Sequence, residues 1–334
     1  MRRITQRRGI AAVATAALLV LVSACGGSDS SGSSGASENA DGTTSITIAT
    51  VGSDSGSQAF YAKNKGFFEK HDLDVKVNVV ANVPELAAAV ESGDAQFALT
   101  SPTSVASASA AGIGFQIVAG GAVYTKDNPG VWVMVPTGSD ITSVEDLKGK
   151  SIAVNALNTM PHLSTLATLD DAGVDTGSID FVTLDFTQVG QAFESGQVDA
   201  ATVTAPFNAQ IETDGLGTVL ASPYDAVNGT DDFYNTIWFG QRDLAEDKPE
   251  LVESFQAALA DANAWANDPA NEEERKTILQ EYTSLTDATL ADLQLLQFGD
   301  EVTDEMIQPV IDVMSRFKVL PKPVKASDII VQVG

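Results

Sequence analysis

The sequence predicts an α/β protein of two lobes, each a mostly parallel sheet flanked by helices, with a ligand cleft between them. Three observations lead there. The phrase "ESGDAQFALTSP" at 91–102 returns as "ESGQVDAATVTAP" at 194–206, its ESG triplet shifted by 103 positions. Upstream of each copy the chain writes the same series of strand, helix, strand and helix, and the series begin at Ile46 and Ile152, 106 positions apart. Strands alternating with helices pair in parallel through right-handed crossovers. Finally, the 290 residues after Thr44 hold no cysteine, so the body must stand on core burial, and its length suffices for two domains.

The first segments precede the fold. Arg2, Arg3, Arg7 and Arg8 stand before an apolar run from Ile10 to Val22, too short to span a bilayer and suited to a signal-peptide core. Then comes "LVSAC" at 21–25, with Cys25 the one cysteine of the chain. An aliphatic residue, two small residues and a cysteine resemble the lipobox of bacterial lipoproteins. The resemblance implies cleavage after residue 24 and a diacylglycerol on the Cys25 sulfur, and several acyl chains on one residue hold a protein stably at a membrane. Residues 25–44 are then the lipidated cysteine and a Gly/Ser-rich flexible tether, with a reach of roughly 25 Å.

The elements of the first lobe follow. "ITIATV" (46–51) and "DVKVNVV" (74–80) alternate β-branched and apolar residues as strands do. "QAFYAKNKGFFEKH" (58–71) and "PELAAAVESG" (84–93) read as helices, the second stopped by Gly93, and "AQFALT" follows as a strand. In the second lobe "SIAVNAL" (151–157) and "IDFVTL" (179–184) are strands. The helix at 160–172 carries Leu163, Leu166, Ala167 and Leu169 as a stripe, with Pro161 in its first turn and Gly173 as its stop. "TQVGQAFESG" (187–196) ends on Gly196, and "VDAATV" repeats the closing strand. "VWVMVP" (131–136) reads as an extended segment leading out of lobe one, and "FYNTIWFG" (233–240) as the return. The remainder, about 242–318, is helical and is expected to pack on lobe one. Lobe one is thus 45–136 with 231–334, and lobe two is 137–230.

Charge narrows the function. The chain holds 45 acidic and 19 basic residues, a net charge of −26. Nucleic-acid binding needs clustered Lys and Arg, so it is excluded, and a basic membrane-binding face is equally lacking. The acidity itself serves solubility.

Five stretches in order carry a family likeness: "FYAKNKGFFEKHDLDVKV" (60–77), "AAAVESGDAQFAL" (87–99), "SVEDLKGKSIAVN" (143–155), "AFESGQVDAATVTAPF" (192–207) and "KPELVESFQAAL" (248–259). With them the chain resembles the substrate-binding lipoproteins of ABC importers, in the NMT1-like branch that serves sulfonates, taurine, nitrate and thiamine-type pyrimidines. The resemblance implies a periplasmic-binding-protein fold of type II and a monomer anchored on the extracytoplasmic face of the cell membrane. It would capture a small solute and deliver it to a permease and its ATPase. Two lobes joined by short crossovers can close on a ligand like a hinge.

Catalysis finds little support. His71 and His162 are the two histidines, and neither pairs with a serine nucleophile. "GSDSG" (52–56) has Asp at its centre, "GIG" (112–114) follows no strand, and no His/Cys cluster has metal-ligand spacing. No cofactor or metal is expected. An enzyme resembling the thiamine-pyrimidine synthase of the same superfamily is the alternative, though the cysteine-rich motif expected of it has no counterpart here. An extracellular sensor module is a third reading, opposed by the lack of a membrane span or signalling domain after the fold.

Ligands of such sheets sit beyond the carboxyl ends of the strands. The loops at that edge are 52–58, 100–104, 155–162 and 204–208, and they hold no Lys or Arg. Candidate ligand contacts are Ser53, Asp54, Ser55, Gln58, Thr100, Ser101, Asn155, Asn158, Thr159, Met160, His162 and Thr204, with Phe207, Tyr234 and Trp238 as aromatic surfaces. His162 reads equally as an exposed first-turn residue, and Trp238 as core. Helix starts near Ser57 and Met160 would supply N–H groups to a negative or polar end. Asp54 would suit an amine. The solute is expected to be a small organic molecule, either a sulfonate-like anion or zwitterion or an aminated pyrimidine-type heterocycle.

Overall fold

The computed structural model describes residues 35–331, apart from 81–82, 230–231 and 284. The signal peptide (1–24), Cys25 and the tether to residue 34 lie outside the described residues. Fourteen strands are described: β1 (Ser37–Glu38), β2 (Thr44–Val51), β3 (Leu73–Val80), β4 (Phe97–Thr100), β5 (Phe115–Gly120), β6 (Ala122–Tyr124), β7 (Val131–Pro136), β8 (Ser151–Val154), β9 (Asp180–Thr183), β10 (Ala200–Thr204), β11 (Gly217–Ala221), β12 (Phe233–Tyr234), β13 (Ile237–Gln241) and β14 (Gln297–Phe298). Helices α1 (Gln58–Asn64), α2 (Phe67–Lys70), α3 (Val83–Ser92) and α4 (Pro102–Ala111) connect the first sheet. Helices α5 (Met160–Asp171), α6 (Val189–Glu194) and α7 (Phe207–Thr213) connect the second. After α8 (Asp225–Asn228) the chain returns and adds α9 (Arg242–Asp247), α10 (Pro249–Ala266), α11 (Glu272–Tyr282), α12 (Asp287–Asp292) and α13 (Asp304–Arg316).

The two large sheets share one order. The first runs β3-β2-β4-β13-β5 and the second β9-β8-β10-β7-β11. In each, four strands run the same way and the fourth in order is antiparallel to both its neighbours: β13 pairs Ile237 with Thr100 and with Gly120, and β7 pairs Val131 with Thr204 and Val135 with Thr218. These fourth strands are the two stretches read as connectors. Val131–Pro136 does not lead out of lobe one; it lies inside the sheet of lobe two, which therefore begins near residue 131 instead of 137. The physical reason is reciprocal. Each sheet needs a strand between its third and last parallel members, and the chain crossing between lobes supplies it in both directions. A small antiparallel sheet, β12-β6-β14, sits where the crossovers leave and return.

The tether also ends earlier than its composition implies. β1 pairs antiparallel with the start of β2, Ser37 opposite Ser45. The hairpin loop between them turns through Asp41-Gly42, with Gly42 at φ +89°, where glycine meets no Cβ penalty. Asn39 Nδ2 donates to Thr43 Oγ1 at 2.8 Å and to Ser45 Oγ at 2.9 Å.

Core burial explains how the helices sit. Phe68, Phe97, Trp238 and Phe255 pack between the first sheet and α10. Lobe two has its own two faces, one around Val203, Phe193 and Ile211 and one around Ile152, Leu169 and Val135. The helical tail does not pack on lobe one alone. α13 buries Ile307, Val310, Ile311, Val313 and Met314 in a cluster that includes Ala106 of lobe one together with Met160, Leu163 and Ala167 of lobe two. Arg316 at its end binds Asp170 and Asp171, the acidic pair in the last turn of α5. Those acids oppose the helix dipole, and the guanidinium offsets them.

Candidate functional site

The carboxyl ends of β2, β4, β8 and β10 face one another across the lobes and enclose a cavity of about 410 Å³. Lobe one lines it with Val51, Ser55, Leu86, Leu99, Thr100, Ser101, Thr103, Ser104 and Ser107. Lobe two and the crossovers add Asn155, Asn158, Thr159, Met160, Pro161, Thr204, Tyr224, Asn235 and Thr236. None of these residues carries a charge. Other concavities of about 540, 570 and 520 Å³ lie elsewhere on the surface. The 410 Å³ cavity is the candidate site because it lies between strand ends of both lobes, where open α/β sheets bind ligands.

Two helix starts meet there. Ser101 precedes the ten-residue α4 and Thr159 the twelve-residue α5, both with extended backbone, and neither side chain caps its helix. α4 begins on Pro102, which has no N–H, and the Ser104 N–H bonds the Ser101 carbonyl, while α5 has Pro161 in its first turn, so the two starts offer the cavity chiefly their positive dipole ends. At the floor of the lobe-one side Thr100 is 6% exposed, and its Oγ1 has no hydrogen-bond partner in the protein. A buried hydroxyl is normally paired, so this one points to a group that the protein itself does not supply. Beside it the Ser101 and Thr103 hydroxyls bond each other.

The opposite wall is more self-satisfied. Thr159 Oγ1 donates to the Ala156 carbonyl at 2.9 Å. Asn158 holds φ +63°, a conformation that Asn tolerates, and its N–H donates to His162 Nδ1 at 3.0 Å. His162 is buried beneath the loop with Phe181 edge-on at 4.6 Å. Burial pushes its pKa down to about 4, which keeps Nδ1 an acceptor at neutral pH. At the crossovers Tyr224 OH donates to Asn235 Oδ1 at 2.8 Å, which directs the Asn235 amide.

Eight of the residues expected at the site line the cavity: Ser55, Thr100, Ser101, Asn155, Asn158, Thr159, Met160 and Thr204. Seven do not. Asp54 is 1% exposed and turned inward, where Oδ2 accepts the Leu296 N–H at 2.7 Å and Oδ1 the Ser57 hydroxyl at 3.2 Å. Burial pushes its pKa up, against the pull of the Arg275 guanidinium and these donors. Gln58 and Trp238 form a buried knot: Trp238 Nε1 donates to Gln58 Oε1 at 2.6 Å, and Gln58 Nε2 to Asn263 Oδ1 at 2.6 Å. Tyr234 donates its hydroxyl to the Glu301 carbonyl at 2.7 Å. Ser53 bonds Ser55 at 2.9 Å beside the cavity. Phe207 tilts against Phe186 at 5.4 Å, and His162 supports the Asn158 loop from below.

The expected helix start near Ser57 is a short turn, Asp54–Gly56, leading into a seven-residue helix. Lobe one instead presents α4. Gly56 is fixed there because a Cβ would stand 2.2 Å from the Val51 carbonyl oxygen. Residues that sequence reasoning missed include Thr103 and Ser104, which sit inside the "TSPTS" loop, and Asn235 and Thr236 of "FYNTIWFG", where the aromatic neighbours drew the attention. Leu86, Leu99 and Pro161 had no polar signal to mark them. Among the described residues no group of three or more His, Cys, Asp or Glu could hold a metal ion, and no helix is long and apolar enough to cross a membrane.

Paired lobes, fourth strands exchanged between them and a cleft at the strand ends define a two-lobed periplasmic-binding-protein fold. The family model described as NMT1/THI5 like matches residues 57–272, and the chain belongs to that family. The taurine-binding periplasmic protein of Escherichia coli (strain K12) is 31% identical over 139 residues, 39% of this chain and 42% of that relative. This match therefore spans less than half of the relative's length. The crystal structure of the periplasmic aliphatic sulphonate binding protein SsuA from Escherichia coli superimposes with a TM-score of 0.73 at 20% identity, covering 87% of this chain and 92% of that one. The periplasmic nitrate-binding protein NrtA from Synechocystis PCC 6803 gives 0.69 at 14% identity, covering 86% and 85%. These two structures share the fold.

Proposed function

We propose that this protein is the extracytoplasmic solute-binding component of an ABC importer. It captures a small organic solute of the sulfonate-like class in the cleft between its lobes and delivers it to a permease and its ATPase. The observation that carries this reading is the interlobe cavity with two opposed helix starts and the buried, unpartnered Thr100 hydroxyl. The relatives' names support the transport role, and the likeness to the taurine-binding protein supports the solute class. Ser55, Thr100, Ser101, Thr103, Asn155, Asn158 and Asn235 are proposed to hold the solute, with Thr159 steadying the loop of the opposite wall. Lobe closure around it excludes water and gives each of these bonds more weight.

The protein binds without converting, and it is held at the membrane through a lipid on Cys25. A thermal-shift screen of small sulfonates, other organic anions, zwitterions and neutral heterocycles tests the binding role. A true solute at about 100 times its Kd should add roughly 2.7 kcal/mol to the stability. It should also be recovered unchanged after denaturation, whereas a converted product would point to an enzyme. Cys25→Ala should leave the membrane fraction; retention there would sink the lipid anchor.

A further inference from the structure

The cleft is neutral on both walls, and this has consequences for what it admits. An ammonium group taken out of water needs a carboxylate or several acceptors beside it. The acid expected to serve, Asp54, is turned away from the cavity and spent on Leu296 and Ser57. No lining residue is acidic. Donors, by contrast, are abundant on the lobe-one wall. The positive end of the α4 dipole faces the cavity, the Ser101 and Thr103 hydroxyls stand beside it, and the Thr100 hydroxyl is buried with nothing in the protein to bond. An apolar surface from Leu86, Leu99, Met160 and Pro161 completes the enclosure.

Resting on the solute-binding role proposed above, we infer that the cleft selects against amines: it takes solutes with a single anionic oxygen head and an apolar remainder, and rejects their aminated, zwitterionic counterparts. The head group lies on Thr100, Ser101 and Thr103, at the start of α4. The remainder lies against the Leu99 and Met160 side, where an added ammonium would meet carbon and neutral amide and hydroxyl oxygens but no carboxylate. Thr100 holds the head group, and the selectivity lies at the far end, where the lining has no acid. The Thr100 hydroxyl is satisfied by an oxyanion acceptor and gains nothing from the far end of the molecule.

Matched pairs test this directly: ethanesulfonate against 2-aminoethanesulfonate, and propane-1-sulfonate against 3-aminopropane-1-sulfonate, titrated calorimetrically into the protein. The member without the amine should bind at least tenfold more tightly in each pair. Thr100→Val, which keeps the shape and removes the hydroxyl, should weaken that binding about tenfold. The same change should leave the melting temperature of the unliganded protein unchanged or raised, because a hydroxyl without a partner is removed from the interior. A structural role for Thr100 would lower it. Equal or tighter binding of the aminated members overturns the selectivity and leaves the solute-binding role standing. So does a thermal shift given by neutral heterocycles alone. If no solute of any charge class shifts the melting temperature, the solute-binding role itself falls.

Discussion

The phrase written twice in the sequence folds twice into the same corner and then does two different things. At the end of β4 it turns into α4, whose first turn lines the cavity together with Thr100 and Ser101. At the end of β10 Thr204 still reaches the cavity, but α7 turns its Asn208, Ala209 and Glu212 to a separate groove shared with Leu293 and Gln294. The first strands of the two sheets divide the roles the other way. The β8 corner supplies Asn155, Asn158, Thr159 and Met160 to the cavity. The matching β2 corner supplies Ser55 but folds Asp54 inward onto Leu296. Ligand recognition thus falls mainly on one diagonal pair of corners. The other pair is fastened to a single stretch of the C-terminal region: Asp54 to Leu296, Thr289 to Gln210, and Ala205 to the cluster of Leu290, Leu293 and Leu295. A duplicated scaffold need not duplicate its site. Whatever the tail covers becomes support, and what it leaves open becomes the cleft.

The fastened corners can be broken first, and there the effect is largest. Asp54→Ala removes the acceptor for a buried backbone N–H and leaves Arg275 without its carboxylate neighbour. Arg275 still donates to the carbonyls of Ala266 and Leu296, at 2.8 Å and 2.7 Å. Asp54 accepts from two buried donors, the Leu296 N–H and the Ser57 hydroxyl, and leaving a buried donor unsatisfied costs roughly 1–3 kcal/mol each, so the urea midpoint of the unliganded protein should drop sharply. A variant as stable as the parent that has lost only ligand binding would return Asp54 to the cleft and undo the division of corners.

How much of this was legible depends on distance along the chain. The strand and helix order of each lobe could be read, because alternation, Pro161 and the glycine stops act within a few residues. Which sheet would take Val131–Pro136 could not. Its pattern says strand, but its partners Ala200–Thr204 lie about 70 residues on, and nothing local names them. The polarity of the cleft loops was likewise legible, as was their lack of Lys and Arg. The direction of a side chain within a loop was not. Asp54 and Ser55 are neighbours in sequence, and they part because the Leu296 amide, 242 positions away, offers the carboxylate a donor. Trp238 and Gln58 are drawn inward by each other for the same reason, across 180 positions.

The cleft-side corner of lobe two can be sharpened with pH, for a middling effect. His162 props the Asn158 loop only while Nδ1 is unprotonated. The unfolded chain takes up this proton near pH 6.5, and the folded chain refuses it until about pH 4. Stability is therefore complete above pH 6.5 and declines as pH falls toward 4, by about 2 kcal/mol once the ring's partial access to solvent is allowed for. Comparing urea midpoints of the parent and His162→Gln at pH 7.5 and 4.5 isolates this contribution. The parent should lose more between the two pH values than the variant does. Equal losses would mean that the ring titrates freely and does not hold the loop.

The smallest effect should separate the two helix starts at the cavity. Thr159 and Ser101 occupy the same position, the residue before a cleft-facing helix, yet their hydroxyls differ. Ser101 bonds Thr103, another cavity hydroxyl, so the pair can turn together toward a ligand. Thr159 donates to the Ala156 carbonyl inside its own loop, with Asn155 Oδ1 a longer 3.3 Å away. A hydroxyl already bonded within the loop steadies the wall and adds little of its own to the grip. Thr159→Ala should then lower the stability of the unliganded protein by about 0.5–1.5 kcal/mol, the worth of one ordinary hydrogen bond. Solute affinity should fall only a few-fold, through the looser loop, against about tenfold for Thr100→Val. Side-by-side calorimetric titration and thermal melts of the two variants give both numbers. If Thr159→Ala were to lose affinity as steeply as Thr100→Val with no change in melting temperature, the Thr159 hydroxyl would be a direct contact, and the head group would sit between the lobes instead of on lobe one.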